Sequence, residues 1–105
     1  MSRLTKLNLQ LARVLAEAFQ NYPERDPKLL VTVVAVEVSA DISSALVWLS
    51  MLGDQTKVEG YLNSLDSNKR YFAEFLHDRF EAKRQPKLIF RQSQSLEKLQ
   101  DIAGS

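Results

Sequence analysis

A chain of 105 residues that is 45% hydrophobic and 26% charged has enough apolar material for one globular core and too much of it for a disordered segment. It holds no cysteine, which excludes disulfides, thiolate metal sites and a cysteine nucleophile, and no apolar run approaches the roughly 20 residues of a membrane span. The net charge of +1 conceals an asymmetry, with residues 1–13 at +3, 14–67 at −5, 68–91 at +4 and 92–105 at −1, so basic ends flank an acidic middle and point to a binding face.

Met1-Ser2-Arg3-Leu4-Thr5-Lys6 leads directly into an amphipathic pattern rather than a solid apolar block, so no secretory signal is expected and a cytoplasmic location is. Leu4, Leu7, Leu11, Val14, Leu15, Ala18 and Phe19 recur at helical spacing and predict a helix over about residues 3–20. Residues 21–28, with Pro23, Pro27 and four charges, read as a loop. Leu29 to Val38 is almost continuously apolar and rich in valine, which predicts a strand covered on both faces or nearly so. Ser39-Ala40-Asp41 is the expected turn, and Ala45 to Leu52 the second strand of an antiparallel pair. In that second strand Val47, Leu49 and Met51 share one face and Leu46, Trp48 and Leu52 the other.

Residues 55–82 return to helical spacing in two pieces. Val58, Tyr61, Leu62 and Leu65 form one apolar face, and Phe72, Phe75, Leu76 and Phe80 a second. Asp66-Ser67-Asn68-Lys69-Arg70 interrupts the stripe, and such side chains compete for backbone hydrogen bonds, so a break or kink is expected there. After Pro86, Lys87 to Arg91 alternates as a short strand, and Ser95 is placed to cap a helical turn or two over 96–103. Helix, strand, strand, helix, break, helix, strand gives an α+β domain with helices on one face of a three-stranded sheet.

Chemistry concentrates in the basic segment. Lys69 and Arg70 sit at the break, Arg79, Lys83 and Arg84 follow, and Lys87 and Arg91 flank the last strand on the parity opposite to Leu88 and Phe90. Clustered cations bind nucleic-acid phosphates by releasing condensed counterions. Ser67 and Asn68 add hydrogen-bonding groups for sugar or phosphate, and a helix starting at the break adds N–H groups. The competing reading is a solvated helix face with local ion pairs such as Lys83 or Arg84 with Glu81. Tyr71 is positioned to stack on an unpaired base, while Phe72, Phe75, Phe80 and Trp48 read as core. His77, the single histidine, has no partner that the spacing identifies for catalysis or metal binding. Ser39 and Asp41 read as turn chemistry, and glycines at 53, 60 and 104 make neither a P-loop nor a dinucleotide fingerprint.

The order of elements resembles a type II KH-like domain. Asp26-Pro27-Lys28-Leu29 and the block from Val31 through Val38-Ser39-Ala40-Asp41-Ile42 to Val47-Trp48-Leu49-Ser50-Met51-Leu52-Gly53 resemble the ribosome-binding factor A family. Arg84-Gln85-Pro86-Lys87-Leu88-Ile89-Phe90 and Ser95-Leu96-Glu97-Lys98 continue the match, which is collinear from about residue 3 to 103. The resemblance implies a single domain over 1–105 with no catalytic activity, cofactor or metal. It implies a monomeric assembly factor that binds the small (30S) ribosomal subunit and assists 16S rRNA maturation. It places RNA contact at the kink, and together with the basic segment this makes Ser67, Asn68, Lys69, Arg70, Arg79, Lys83, Arg84, Lys87 and Arg91 the expected RNA-binding residues, with neither membrane nor small-molecule partner. At the kink the family usually has a small residue and a glycine, and this chain has no glycine there. The alternative that this departure raises is a protein-interaction module of the same fold that does not bind RNA.

Overall fold

A computed structural model describes residues 2–79 and 85–93. Helix α1 (Arg3–Gln20) opens on Ser2, whose hydroxyl accepts the Thr5 N–H at 3.1 Å, a cap worth about 1 kcal/mol. Its buried residues Leu11, Leu15, Ala18 and Phe19 recur every three to four positions and form the face laid on the sheet. Each such leucine or phenylalanine stabilises the fold by about 1.5–3 kcal/mol. Asn8 ties the helix to the sheet through its side-chain oxygen, which accepts the Val38 N–H at 2.9 Å.

Strands β1 (Leu29–Val38) and β2 (Ser44–Gly53) pair antiparallel, with Leu29 opposite Gly53 and Val38 opposite Ala45. The turn between them is built on Asp41. One carboxylate oxygen accepts the Ser39 hydroxyl at 2.8 Å, the Ser43 hydroxyl at 2.7 Å and the Ser43 N–H at 3.1 Å. These bonds, those of Ser43 foremost, pull the Asp41 pKa from 3.8 down to about 2. They also hold Ile42 at φ 59°, a conformation a β-branched residue rarely takes, with its side chain packed on the core. At the other end of the hairpin Gly53 has φ 125°, and a Cβ there would collide with the Lys28 carbonyl oxygen. That same oxygen accepts the Asp54 N–H at 3.0 Å.

A 3₁₀ turn (Gln55–Lys57) leads into α2 (Val58–Ser67), and α3 (Lys69–Arg79) follows after a single intervening residue. Strand β3 (Lys87–Gln92) then pairs with β2 in parallel, from Ser44 opposite Lys87 to Leu49 opposite Gln92, giving the order β1-β2-β3. Parallel neighbours need a long crossover, and the two short helices supply it. The predicted order of elements is therefore the observed one. The helical end expected over 80–82, Phe80 among the expected core residues, and the turns expected over 96–103 lie outside the described residues.

The core lies between the helices and one face of the sheet. Val36, Val38, Ala45, Val47, Leu49, Met51, Leu88 and Phe90 point into it, joined by Val58, Tyr61, Leu65, Phe72 and Leu76. Its centre is aromatic, with Phe72 against Phe19, Phe90 and Tyr22 at ring separations of 4.9, 5.1 and 5.2 Å. Two expectations are corrected. The continuous apolar run of β1 is not covered on both faces by any described residue, since Leu30 is 65% exposed and its opposite number Leu52 is 53% exposed. Trp48, expected in the core, is half-buried on that same outer face, because its parity in β2 is opposite to that of Val47 and Leu49. The β1 run reads as continuous for two reasons: Leu30, Val34 and Ala35 put apolar side chains on the outer face beside Thr32 and Glu37, and a bulge inserts Val34 between the Val33–Leu49 and Ala35–Trp48 pairs. The bulge shifts the alternation by one residue halfway along the strand.

Candidate RNA-binding face at the helix break

Asn68 is the whole of the break. Its backbone N–H reaches back to the Ser64 and Leu65 carbonyls, closing α2. Its backbone stands at φ −111° and ψ 24°, a region open to ordinary L-residues, so the kink has no need of the glycine that the sequence lacks. The side chain holds the joint instead. Its amide nitrogen donates to the Tyr22 hydroxyl oxygen at 3.0 Å, to a Glu24 carboxylate oxygen at 2.6 Å and to the Ser64 carbonyl at 2.9 Å. Asn68 therefore spends its amide on the protein, fastening the break to the end of α1, where the sequence suggested a contact to sugar or phosphate. Because α2 ends one residue before α3 begins, the carbonyl end of the first helix abuts the N–H end of the second, and the two partial charges oppose each other.

Tyr71, one turn further on, is not presented for base stacking. It is half-buried, its hydroxyl donates to the Ala18 carbonyl at 2.7 Å, and its ring lies 5.4 Å from Tyr22 and 6.0 Å from Phe75. Burial raises its phenol pKa above the ordinary value. Phe72 is fully buried, as expected, and Phe75 is half-buried.

The cations around the break, Arg70 and Arg79 exposed and Lys69 half-buried, are locally engaged. Lys69 lies 3.6 Å from Asp66, Arg70 lies 3.2 Å from Glu74, and Arg79 lies 3.5 Å from Glu17 of α1. Arg79 also stacks over the Phe75 ring at 3.7 Å, so it links α3 to α1. Pairs this exposed are worth about 0–1 kcal/mol each, so a phosphate can replace the carboxylate at small cost. Ser67 is exposed at the end of α2.

The nine residues expected to act together do not share one surface. Leu88 and Phe90 of β3 face the helices, so Lys87 and Arg91, on the opposite parity, project from the other side of the sheet. Ser67, Lys69, Arg70 and Arg79 belong to the helical layer. Lys83 and Arg84 lie outside the described residues. The helical layer carries a further set that the expectation omitted. Arg3, Lys6 and Arg13 are exposed on α1, spaced by three and seven residues along one side of the helix. None pairs with an acid among the described residues. The signal was present in the +3 charge of residues 1–13.

The family model of ribosome-binding factor A matches residues 3–104. A ribosome-binding factor A of Fervidobacterium nodosum is 33% identical over 98 residues, spanning 90% of this chain and 78% of that one. The crystal structure of ribosome-binding factor A from Thermus thermophilus superposes with a TM-score of 0.73 at 34% identity, covering 85% of this chain and 93% of that one. A homology model of the T. thermophilus factor, fitted into a cryo-EM map of its complex with the 30S subunit, gives a TM-score of 0.71 at 36% identity, covering 82% of this chain and 90% of that one. Matching sequence across nearly the whole chain, and matching architecture, show that this protein belongs to the ribosome-binding factor A family, which is named for what it binds and not for a reaction.

Proposed function

We propose that this protein binds the small ribosomal subunit through 16S rRNA and assists maturation of that RNA, without catalysing a reaction. The observation that carries the reading is the family match over residues 3–104, with a relative fitted into a map of its 30S complex. The charge distribution agrees with it. Arg3, Lys6 and Arg13 on α1 and Arg70 and Arg79 on α3, with the half-buried Lys69, put cations on the helical layer, where phosphate contacts give affinity by counterion release. The reading also includes a monomeric factor acting in the cytoplasm.

A second reading, a protein-interaction module that makes no RNA contact, draws on the carboxylate within 3.6 Å of each of Lys69, Arg70 and Arg79. Co-sedimentation with separated small subunits, large subunits and whole ribosomes at two salt concentrations distinguishes the two. The expected result is selective pelleting with free small subunits that weakens with salt. The salt dependence should fall by about 0.7–0.9 in logarithmic slope for each phosphate contact removed in folded K69Q/R70Q and R3Q/K6Q/R13Q variants. Pelleting that neither salt nor these substitutions weaken refutes the RNA contact and favours the protein-binding reading.

A further inference from the structure

Among the described residues, strand β1 is an edge of the sheet, bonded to β2 on one side and to no strand on the other. Both ends of this edge are closed. The Lys28 carbonyl is turned toward β2, where it accepts the Asp54 N–H, so the Leu29 N–H points outward and donates to the Asp26 carbonyl at 3.1 Å. At the far end the Val38 N–H also points outward and is taken by Asn8. Backbone direction alternates along a strand, so the N–H and carbonyl groups of Val31 and Val33 point outward with those of Leu29. No described residue bonds to them. The bulge at Val34 ends this regular stretch.

A groove of about 610 Å³ runs beside the same stretch. Leu29 to Val33 form one wall, Ala16 and Phe19 of α1 the other, and the loop before β1 closes the Leu29 end with Arg25 and Tyr61. Arg25 is exposed and pairs with no acid among the described residues. The acids beside it are engaged, since Asp26 accepts the Lys28 N–H at 2.9 Å and Glu24 accepts the Asn68 amide. Tyr61 is only 6% exposed, and its hydroxyl has no hydrogen-bond partner among the described residues. Burial raises its phenol pKa against the opposing pull of Arg25, so the hydroxyl stays a neutral donor. The closed end of the groove therefore offers a free cation and an unused O–H, a pair suited to a carboxylate.

We infer that this groove binds the C-terminal end of a partner polypeptide as an added strand antiparallel to β1, with its terminal carboxylate on Arg25 and the Tyr61 hydroxyl. Unpaired N–H and carbonyl groups at strand spacing are matched by another extended backbone. An antiparallel strand brings its C-terminus to the Leu29 end, whereas a parallel one would bring an ammonium group against Arg25. The Leu29 N–H is already occupied, so pairing stops there, which suits a chain end. The bound stretch is about five residues long, and its side chains on the face of Val31 and Val33 enter the groove against Ala16 and Phe19, which favours aliphatic ones. This contact is independent of what the cations of the helical layer bind.

The probe is an N-acetylated peptide of alternating threonine and valine, led by a lysine for solubility and ending in valine with a free carboxylate. It is titrated into the isotope-labelled full chain and followed by two-dimensional amide NMR. The expected result is saturable shifts of the Val31 and Val33 amides, with the C-terminal amide form of the peptide binding about tenfold more weakly, as for the loss of a charge-assisted bond partly open to water. Arg25→Gln and Tyr61→Phe should each weaken binding of the acid form and leave that of the amide form unchanged, a split that a merely structural role of either residue would not produce. Methylating the peptide nitrogens that face β1 should abolish binding. The inference is overturned if no saturable binding occurs at millimolar peptide, if the acid and amide forms bind equally, or if the methylated peptide binds as well as the parent. Shifts of Val31 and Val33 that arise on concentrating the protein alone assign the edge to a second copy and overturn it too.

Discussion

Replacing Asn68 tests whether the helix break is a flexible joint or a fastened one. Asn68→Ala removes the bond to the Tyr22 hydroxyl, worth about 1 kcal/mol, and the charge-assisted bond to Glu24, reduced to about 1 kcal/mol by the exposure of that carboxylate. The side-chain bond to Ser64 adds little, because the Asn68 backbone N–H already occupies that carbonyl at 3.0 Å. The expected loss is about 2 kcal/mol, or about 10 °C in Tm for a domain of this size. Asn68→Gly should lose about 0.5–1 kcal/mol more, since a φ of −111° gains nothing from glycine while the unfolded chain gains freedom. The assay is urea and thermal unfolding followed by circular dichroism and Trp48 fluorescence at neutral pH. If the glycine variant matches or exceeds the alanine variant in stability, the backbone at residue 68 is strained after all and the side-chain account is refuted. A Tyr22→Phe/Asn68→Ala double-mutant cycle should show coupling of about 0.5–1 kcal/mol between the two residues.

Two further substitutions test the ends of the hairpin. Gly53→Ala should cost about 2–4 kcal/mol in urea unfolding, because φ 125° and the Lys28 carbonyl oxygen both reject a Cβ; a loss below about 1 kcal/mol would show that the loop at Lys28 yields. Asp41 has a folded pKa of about 2 against an ordinary 3.8, so its stabilising effect is complete above 3.8 and is lost as pH falls from there toward 2. Asp41→Asn should therefore flatten that part of the stability–pH profile, and an unaltered acid limb would mean that the serine bonds do not favour the ionised form.

Strand β1 was legible because it is rich in β-branched residues, and it spans the predicted residues 29–38, while β2 was legible as an apolar run set off by Asp41 to Ser43 and by Gly53-Asp54. The break was legible as a polar interruption, but its cause was not. Tyr22 and Glu24 lie more than forty positions from Asn68, and no local pattern links them. Similar reasons hid the roles of Tyr71 and Arg79, which read as surface groups beside a basic run until α1 supplies Ala18 and Glu17 as their partners. Trp48 reads as core from the sequence because period-two alternation tells which residues share a face, not which face the helices cover. Parity likewise separates Lys87 and Arg91 from Leu88 and Phe90, yet only the packed structure shows that this puts them across the sheet from Lys69 and Arg70.

The parallel pairing of β3 bears on the order in which the molecule assembles. Closing β1 on β2 spans only residues 39–43, whereas seating β3 on β2 must first span residues 54–86. That longer closure costs about 1.5–2 kcal/mol more in chain entropy. The hairpin is thus the inexpensive nucleus, and the C-terminal strand is the late arrival that locks the crossover helices beneath Phe90. Arg3, Lys6 and Arg13 precede the hairpin in the chain and Lys69, Arg70 and Arg79 follow it, so the cations of the helical layer come together only once α3 is in place.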